Sequence, residues 1–452
     1  MLTTTLLAVD TDFFRDLRRR EFARLDRAGV AYLDYTGSAL HADSQRRAYD
    51  RLLEDGVFGN PHSAHAASTA SARVIEAARA RIRAMLDAGD EYVVCFTANT
   101  SGAVRLVAEA YPFGPDVPLI LSADNHNSVN GVREYARRCG AAVEHLPLNR
   151  DLMLHDAPQL LARVARPGGL LAYPAQSNFS GVRHPLSLIS TAQRLGLRVL
   201  VDAAAYLPAS SLSLQTHPAD FVVLSFYKLF GLPTGLGALV ARRDALKGLT
   251  RPWFAGGTVD YASVALQRHQ LQHGEAAFED GTPHFLGIAA LGSGFELREQ
   301  IGIDRTHAHV RALTAMLIDG LRTLAHSNGS PLVRVYGPPE LSMRGGTVTF
   351  NVLSAEGRVL PYEWVETRAN AERVFLRGGC FCNPGAAEAA FEFDADALAT
   401  ALDGLRDGFS IPALRSSLRG TAVGAVRASV GIANTPADID RALAVVESFG
   451  RQ

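Results

Sequence analysis

The 452 residues predict an α/β fold, a large and mostly parallel sheet covered by helices, followed by a smaller α+β domain. Two patterns carry that reading. In the first half, short apolar runs alternate with amphipathic, alanine- and arginine-rich stretches, the signature of strands buried between helical layers. After about residue 300 the texture changes, and a long helix pattern is followed by several strand-like runs in succession. Composition agrees, since 47% hydrophobic and 20% charged residues describe a folded globular chain rather than a disordered one.

The first-half strands are expected at EYVVCFT (91–97), PLILS (118–122), AAVEHLPL (141–148), GLLAYP (169–174), LRVLVDA (197–203) and DFVVLSF (220–226). Helical spacing lies between several of them, at 101–110, 126–139 and 186–195. A long helix at 64–87 follows Pro61, with Ser63 as its cap. In the C-terminal part, a helix at 304–325 precedes VRVYG, GTVTFNVL, RVFLRGG and AVRASVGI, and a last helix covers 436–449. The expected division is a large domain over 30–300 and a small one over 301–452, onto which a helix at 12–28, from residues 1–29, folds back.

Net charge is −1, and the one basic cluster, Arg18-Arg19-Arg20, reads as a solvated helix face, so no nucleic acid is expected as partner. No apolar stretch reaches the ~20 residues that span a bilayer, and the N-terminus has no secretory pattern, so no membrane is expected either. Four cysteines (Cys95, Cys139, Cys380, Cys382) are too few for a disulfide framework and point to a cytoplasmic, reducing location. Their spacing suits no structural metal.

Of 45 basic residues only two are lysines, Lys228 and Lys247. Arginine stays protonated in proteins, whereas a lysine amine can lose its proton and attack a carbonyl. Lys247, in ARRDALKGL, reads as a surface residue. Lys228 lies just past an apolar strand, and Asp202 ends the preceding one. A buried carboxylate needs a partner, and strand ends in α/β sheets are where ligands gather. An Asp and a Lys so placed suit pyridoxal 5′-phosphate; a structural salt bridge accounts for the spacing equally well.

The motifs around them are more specific. VDAAAYLP followed by ADFVVLSFYKLFGLPTGLGAL resembles the lysine region of class V aminotransferase-fold enzymes. AYLDYTGSAL, FGNPHS, FTANTSGAVRLVAEAYPF, YPAQSNFSG, FEDGTPHFLGI, RGGCFCNPG and VRASVGIANT extend the likeness over nearly the whole chain, in the order seen in the N-terminal, cysteine desulfurase-like domain of molybdenum cofactor sulfurases. The resemblance implies the type I fold of pyridoxal phosphate-dependent transferases, with a seven-stranded sheet, and a homodimer with shared active sites.

It also implies roles. Lys228 would be the Schiff-base lysine, Asp202 the partner of the pyridine nitrogen, His126 the residue stacked on the ring, and Asn178 the partner of the phenolic oxygen. Thr100, Ser101 and Gly102, at a strand-to-helix turn with free N–H groups, would hold the phosphate with Ser225 and with Thr282 of the neighbouring subunit. Arg427 would clamp the substrate α-carboxylate, a bidentate task suited to guanidinium, with Asn60, in FGNPHS, on the substrate side. Cys382 falls where related desulfurases carry the nucleophile; its thiolate would attack, aided by Arg377, from a glycine-rich loop expected to be mobile. Cys380 would assist or pack, and Cys95 and Cys139 would be buried and inert.

The expected activity is abstraction of sulfur from L-cysteine through a Cys382 persulfide, giving alanine, with a sulfur-acceptor protein as partner. Ala205 replaces the glutamine or histidine of many simple desulfurases, and Ala387 stands where a third cysteine often occurs in the sulfurase branch. These departures keep open a lyase, an epimerase or a carbon–carbon bond-forming enzyme acting on another amino acid. A C-terminal domain holding the molybdenum cofactor is not expected, and with it delivery of sulfur to that cofactor.

Overall fold

In the computed structural model, which describes residues 11–405, 408–418 and 421–451, the six expected strands and a seventh at Gly237–Arg242 assemble into one sheet. In chain order these are β1 (Tyr92–Thr97), β2 (Leu119–Ser122), β3 (Val143–Leu146), β4 (Leu170–Pro174), β5 (Arg198–Asp202), β6 (Phe221–Ser225) and β7 (Gly237–Arg242). They lie in the order β1-β7-β6-β5-β4-β2-β3, and only β7 runs antiparallel to its neighbours. Both faces are covered. Val94 and Phe96 enter one core, Val93 and Cys95 the other, which is why the central strands read as unbroken apolar runs.

Four more strands form the C-terminal antiparallel sheet: β8 (Val333–Val335), β9 (Thr347–Val352), β10 (Arg377–Gly379) and β11 (Ala425–Ser429), in the order β8-β9-β11-β10. The run RVFLRGG serves two neighbours. Val374–Phe375 pairs with Ala31–Tyr32, and Arg377–Gly379 pairs with β11. Residues 31–34 therefore sit against the C-terminal elements, with Asp34 bridging to Ser429.

Several local expectations are corrected. The helix placed at 64–87 runs from Ala66 to Met85, and its cap is His65, whose side chain accepts from the Ser68 N–H at 3.3 Å; residues 61–65 are turns. The helix at 12–28 divides at the buried Phe22 into Thr11–Glu21 and Ala23–Ala28. The helix at 126–139 divides at Gly131 into Asn127–Asn130 and Val132–Arg138. Arg18 is not solvated: it is buried, with Nε on Asp26 at 2.8 Å and Nη1 on Asp438 at 2.7 Å, and it ties the N-terminal helix to the last one (Pro436–Glu447). Cys139 ends its helix exposed to solvent, while Cys95 is buried as expected. No helix among the described residues is long and apolar enough to cross a membrane.

Candidate active site

β5 and β6 are adjacent and parallel, with Asp202 in register with Val223. The chain leaves β6 at Ser225 and turns at once into the short helix Phe226–Phe230, which carries Lys228 and ends on Gly231 at φ +73°. A side chain at 231 would strike the backbone of Leu40 and His41. This glycine therefore lets the lysine helix close against the segment that follows Asp34.

Lys228 and Asp202 share one crevice. Burial pulls the Lys228 amine below its ordinary pKa; Asp202 is the strongest charge opposing that shift, and Arg427 adds to it. Asp202 is buried, and its Oδ1 accepts from the Ala204 N–H at 2.9 Å; Oδ2 has no hydrogen-bond partner among the described residues. His126 caps the next helix, its Nδ1 accepting from the Ser128 N–H at 3.1 Å. Burial lowers the His126 pKa, and the charges acting on it are Lys228, then Asp202, then Arg427. Lys228, Asp202, His126 and Arg427 thus lie within electrostatic reach of one another, although they come from four separate stretches of chain.

The turn before helix Thr100–Ala110 differs from expectation in its donors. The Thr100 N–H is bonded to Ser225 Oγ at 2.9 Å, and the Gly102 N–H to the cap residue Asn99 at 2.9 Å. Two of the N–H groups read as free are therefore already partnered. The Ser101 and Ser128 hydroxyls meet at 2.5 Å, so Ser101, Thr100 and Ser225 still line one polar corner beside His126.

The Cys382 loop, expected to be mobile, is tied down by several hydrogen bonds. Asn178 Nδ2 donates to the Phe381 carbonyl at 2.7 Å, and the Asn127 N–H to the Cys382 carbonyl at 2.7 Å. Asn383 Nδ2 reaches Asp124 at 2.6 Å and Asn178 at 3.0 Å, and the same side chain caps helix Pro384–Ala390 by accepting from Ala386 N–H at 3.2 Å. Held this way, Phe381 and Cys382 both sit at φ +56°, a conformation that costs a non-glycine residue energy. Cys382 is exposed; Cys380 donates to the Val423 carbonyl at 2.7 Å, and burial, with Cys382 beside it, pushes its thiol up to about 11. Asp124, fully buried, also accepts from Ser177 and pairs with His184, each at 2.8 Å.

Arg427 lies on β11, buried, with Nη1 on the Asn178 carbonyl at 2.8 Å and Nη2 on Asp34 at 3.0 Å. Arg377, directly opposite it on β10, grips the same Asp34 carboxylate with contacts of 2.6–3.1 Å. Asp34, Asp124, Asn99 and Asn383 are the site residues that the sequence reading missed. Asn60 and Thr282 meet each other at 3.1 Å, both exposed, and no hydrogen bond or ion pair among the described residues joins them to the Lys228 crevice. The segment leading to Thr282 is anchored by the half-buried Glu279, which accepts from Phe96 N–H at 2.7 Å and pairs with Arg79 at 2.6 Å. No cluster of side chains among the described residues is suited to a metal ion.

This fold is that of the cysteine desulfurases of known structure. The apo cysteine desulfurase from Thermococcus onnurineus superposes with a TM-score of 0.79, at 24% identity, covering 97% of this chain and 98% of the other. A C-DES lysine-to-alanine variant, with glycine covalently linked to its PLP cofactor, gives a TM-score of 0.71 at 18% identity and covers 96% and 99%. The aminotransferase class-V model matches residues 31–442, and the chain belongs to that family. The human molybdenum cofactor sulfurase is 38% identical over 401 residues, 83% of this chain and 44% of its own. The Arabidopsis thaliana molybdenum cofactor sulfurase is 34% identical over 481 residues, 96% and 58%. The chain spans about half the length of these relatives.

Proposed function

We propose that this protein is a pyridoxal 5′-phosphate enzyme that abstracts sulfur from L-cysteine onto Cys382 and releases alanine. The observation that carries this reading is the meeting of a lysine amine, depressed by burial, with a carboxylate on the adjacent parallel strand. Asp202 has one oxygen fixed by backbone and the other unpartnered, which fits a protonated ring nitrogen. The polar corner of Thr100, Ser101 and Ser225 fits a phosphate, with Gly102 at the same helix start. Lys228 would hold the cofactor aldehyde, His126 one ring face and Asn178 the phenolic oxygen. The cofactor, when bound, accepts electrons from substrate Cα into its ring.

The remaining steps belong to the chain's own residues. Arg427 binds the α-carboxylate, and Asn60, bonded to Thr282, would lie on the substrate side of the neighbouring subunit's site that Thr282 completes. Lys228, its amine lowered by burial, takes the Cα proton. The Cys382 thiolate attacks the substrate sulfur: an S–S bond forms, the C–S bond breaks, and the carbon is protonated and leaves in alanine. Because the clamps on Phe381, Cys382 and Asn383 hold the loop backbone that carries the thiol, orientation rather than loop swing would supply the rate.

The active unit in this reading is a homodimer. Thr282, on its anchored but exposed segment, would reach the phosphate of the second subunit, and the exposed Trp253, Phe254 and Tyr261 are apolar groups that a partner would cover. All four cysteines are free, in keeping with a reducing cytoplasmic location. Exposed Cys382 offers its sulfur to an acceptor protein. Borohydride reduction followed by peptide mapping is expected to tag Lys228. The Cys382→Ala variant is expected to keep the tag and lose alanine formation from cysteine. A label elsewhere overturns the cofactor assignment, and full alanine release by the variant overturns the nucleophile.

A further inference from the structure

Arg377 and Arg427 face one another across β10 and β11. Like charges directly opposite on one sheet face are destabilising. Asp34 lies between them, and its carboxylate accepts from both guanidinium groups. Its place is fixed by backbone. The Asp34 carbonyl accepts from the Gly37 and Ser38 N–H groups at 3.0 and 3.1 Å, and Asp34 bridges to Ser429. A Cβ at position 37 would lie 2.5 Å from Asp34 Oδ2 and 2.6 Å from Arg377 Nη2, so it would have to displace this pair.

The side chain of Arg427 is 3% exposed. A guanidinium so buried needs a counter-charge, and Asp34 is the carboxylate paired with it among the described residues. An α-carboxylate arriving at Arg427 therefore meets a group of its own kind already in place. We propose that Asp34 is a specificity-determining residue, an internal carboxylate that occupies Arg427 Nη2 until the carboxylate of an amino-acid substrate takes its place. The proposal rests on the cofactor reading above and on Arg427 as the carboxylate clamp.

The exchange strands no charge. Asp34 keeps its three contacts with Arg377 when it gives up Arg427, and Arg427 keeps the Asn178 carbonyl while gaining the ligand. An amine without a carboxylate has nothing to exchange and leaves the Asp34–Arg427 pair intact. Asp34 thereby weakens carboxylate binding by making each ligand compete for the clamp, and it keeps the clamp neutral and ordered in the ligand-free site.

The test uses the holoenzyme, wild type and Asp34→Asn, titrated with L-alanine and with ethylamine and followed by the visible band of the bound cofactor. Asp34→Asn is expected to tighten L-alanine binding by about tenfold or more, the scale of one close charge pair, and to change ethylamine binding by less than about twofold. Unchanged or weaker L-alanine binding, or equal shifts for both ligands, overturns the proposal. A wild-type structure with L-alanine gives a second readout that needs no variant: Arg427 Nη2 on the ligand and off Asp34 supports the exchange, and an intact Asp34–Arg427 pair refutes it. A wild type with no cofactor band overturns the cofactor reading and this proposal with it. A wild type that responds, beside an Asp34→Asn variant that gains nothing, overturns the proposal alone.

Discussion

Replacing Asn383 by alanine tests whether the Cys382 loop is held or merely covered. The side chain makes three bonds: to Asp124 at 2.6 Å, to Asn178 at 3.0 Å, and from Ala386 N–H at 3.2 Å. Loss of a helix N-cap costs about 1 kcal/mol. Loss of a buried hydrogen bond to a carboxylate costs about 1.5–3 kcal/mol, softened because Asp124 keeps Ser177 and His184. The sum is about 3 kcal/mol, read as a lower urea midpoint for the holoenzyme. A functional consequence follows from the backbone. Phe381 and Cys382 are held at φ +56°, and without the anchor they relax toward ordinary conformations and carry the thiol with them. Iodoacetamide labelling of Cys382, followed by peptide mass spectrometry, is expected to change rate in Asn383→Ala while labelling of Cys139 stays constant. A loss below about 1 kcal/mol, with Cys382 labelling unchanged, would refute the clamp.

Two other outcomes are expected. Burial brings His309, stacked on Phe14 with a 3.7 Å centroid separation, down to about 4 from an ordinary 6.5. The unfolded chain then binds the extra proton first, so stability is lost as pH falls from 6.5 through 4, by about 3 kcal/mol in all. His309→Gln should remove that share of the slope in urea melts at pH 7 and pH 4, and an unaltered slope refutes it. Gly231→Ala forces a side chain into a positive-φ position against the backbone of Leu40 and His41. It should lower the melting temperature by several degrees and impair borohydride labelling of Lys228, and a variant labelled like wild type would show that the lysine helix does not depend on this closure.

The central strands were legible because burial on both sheet faces writes itself as unbroken apolar runs, and the Asp202–Lys228 pair because charge at the end of such a run is rare. Helix interruptions were less legible. Phe22 and Gly131 fit a helical period, and only the packing of Phe22 and the turn at Gly131 break it. Arg18 was misread because a buried ion pair with Asp438, 420 residues away, leaves no local trace. Asp34, Asp124 and Asn383 look like ordinary turn and cap residues; what distinguishes them is contact with groups 343, 60 and 205 residues distant. Asn99 carried a signal that was available, an amide directly before a helix, which predicts a cap and therefore an occupied Gly102 N–H.

The scarcity of lysine takes on a physical meaning once the charges of the site are placed. Its cations are Lys228, Arg377 and Arg427, and its acids Asp34, Asp202 and, beneath the Cys382 loop, Asp124. Both arginines bond one carboxylate, Asp34, and guanidinium keeps its proton throughout. Asp202, on the adjacent strand, is the strongest charge holding the proton on Lys228, while burial and Arg427 work to remove it. Position 228 is therefore the one cationic position of this group at which charge can change during a reaction. A chain that fills 43 of its 45 basic positions with arginine can bind carboxylates almost anywhere, but it can move a proton through a basic side chain in this crevice only at Lys228 or at the neighbouring imidazole of His126. In the proposed reaction these groups divide the labour: Asp34 and the arginines would set which ligand enters, and Lys228 with Asp202 and His126 would set what happens to its protons.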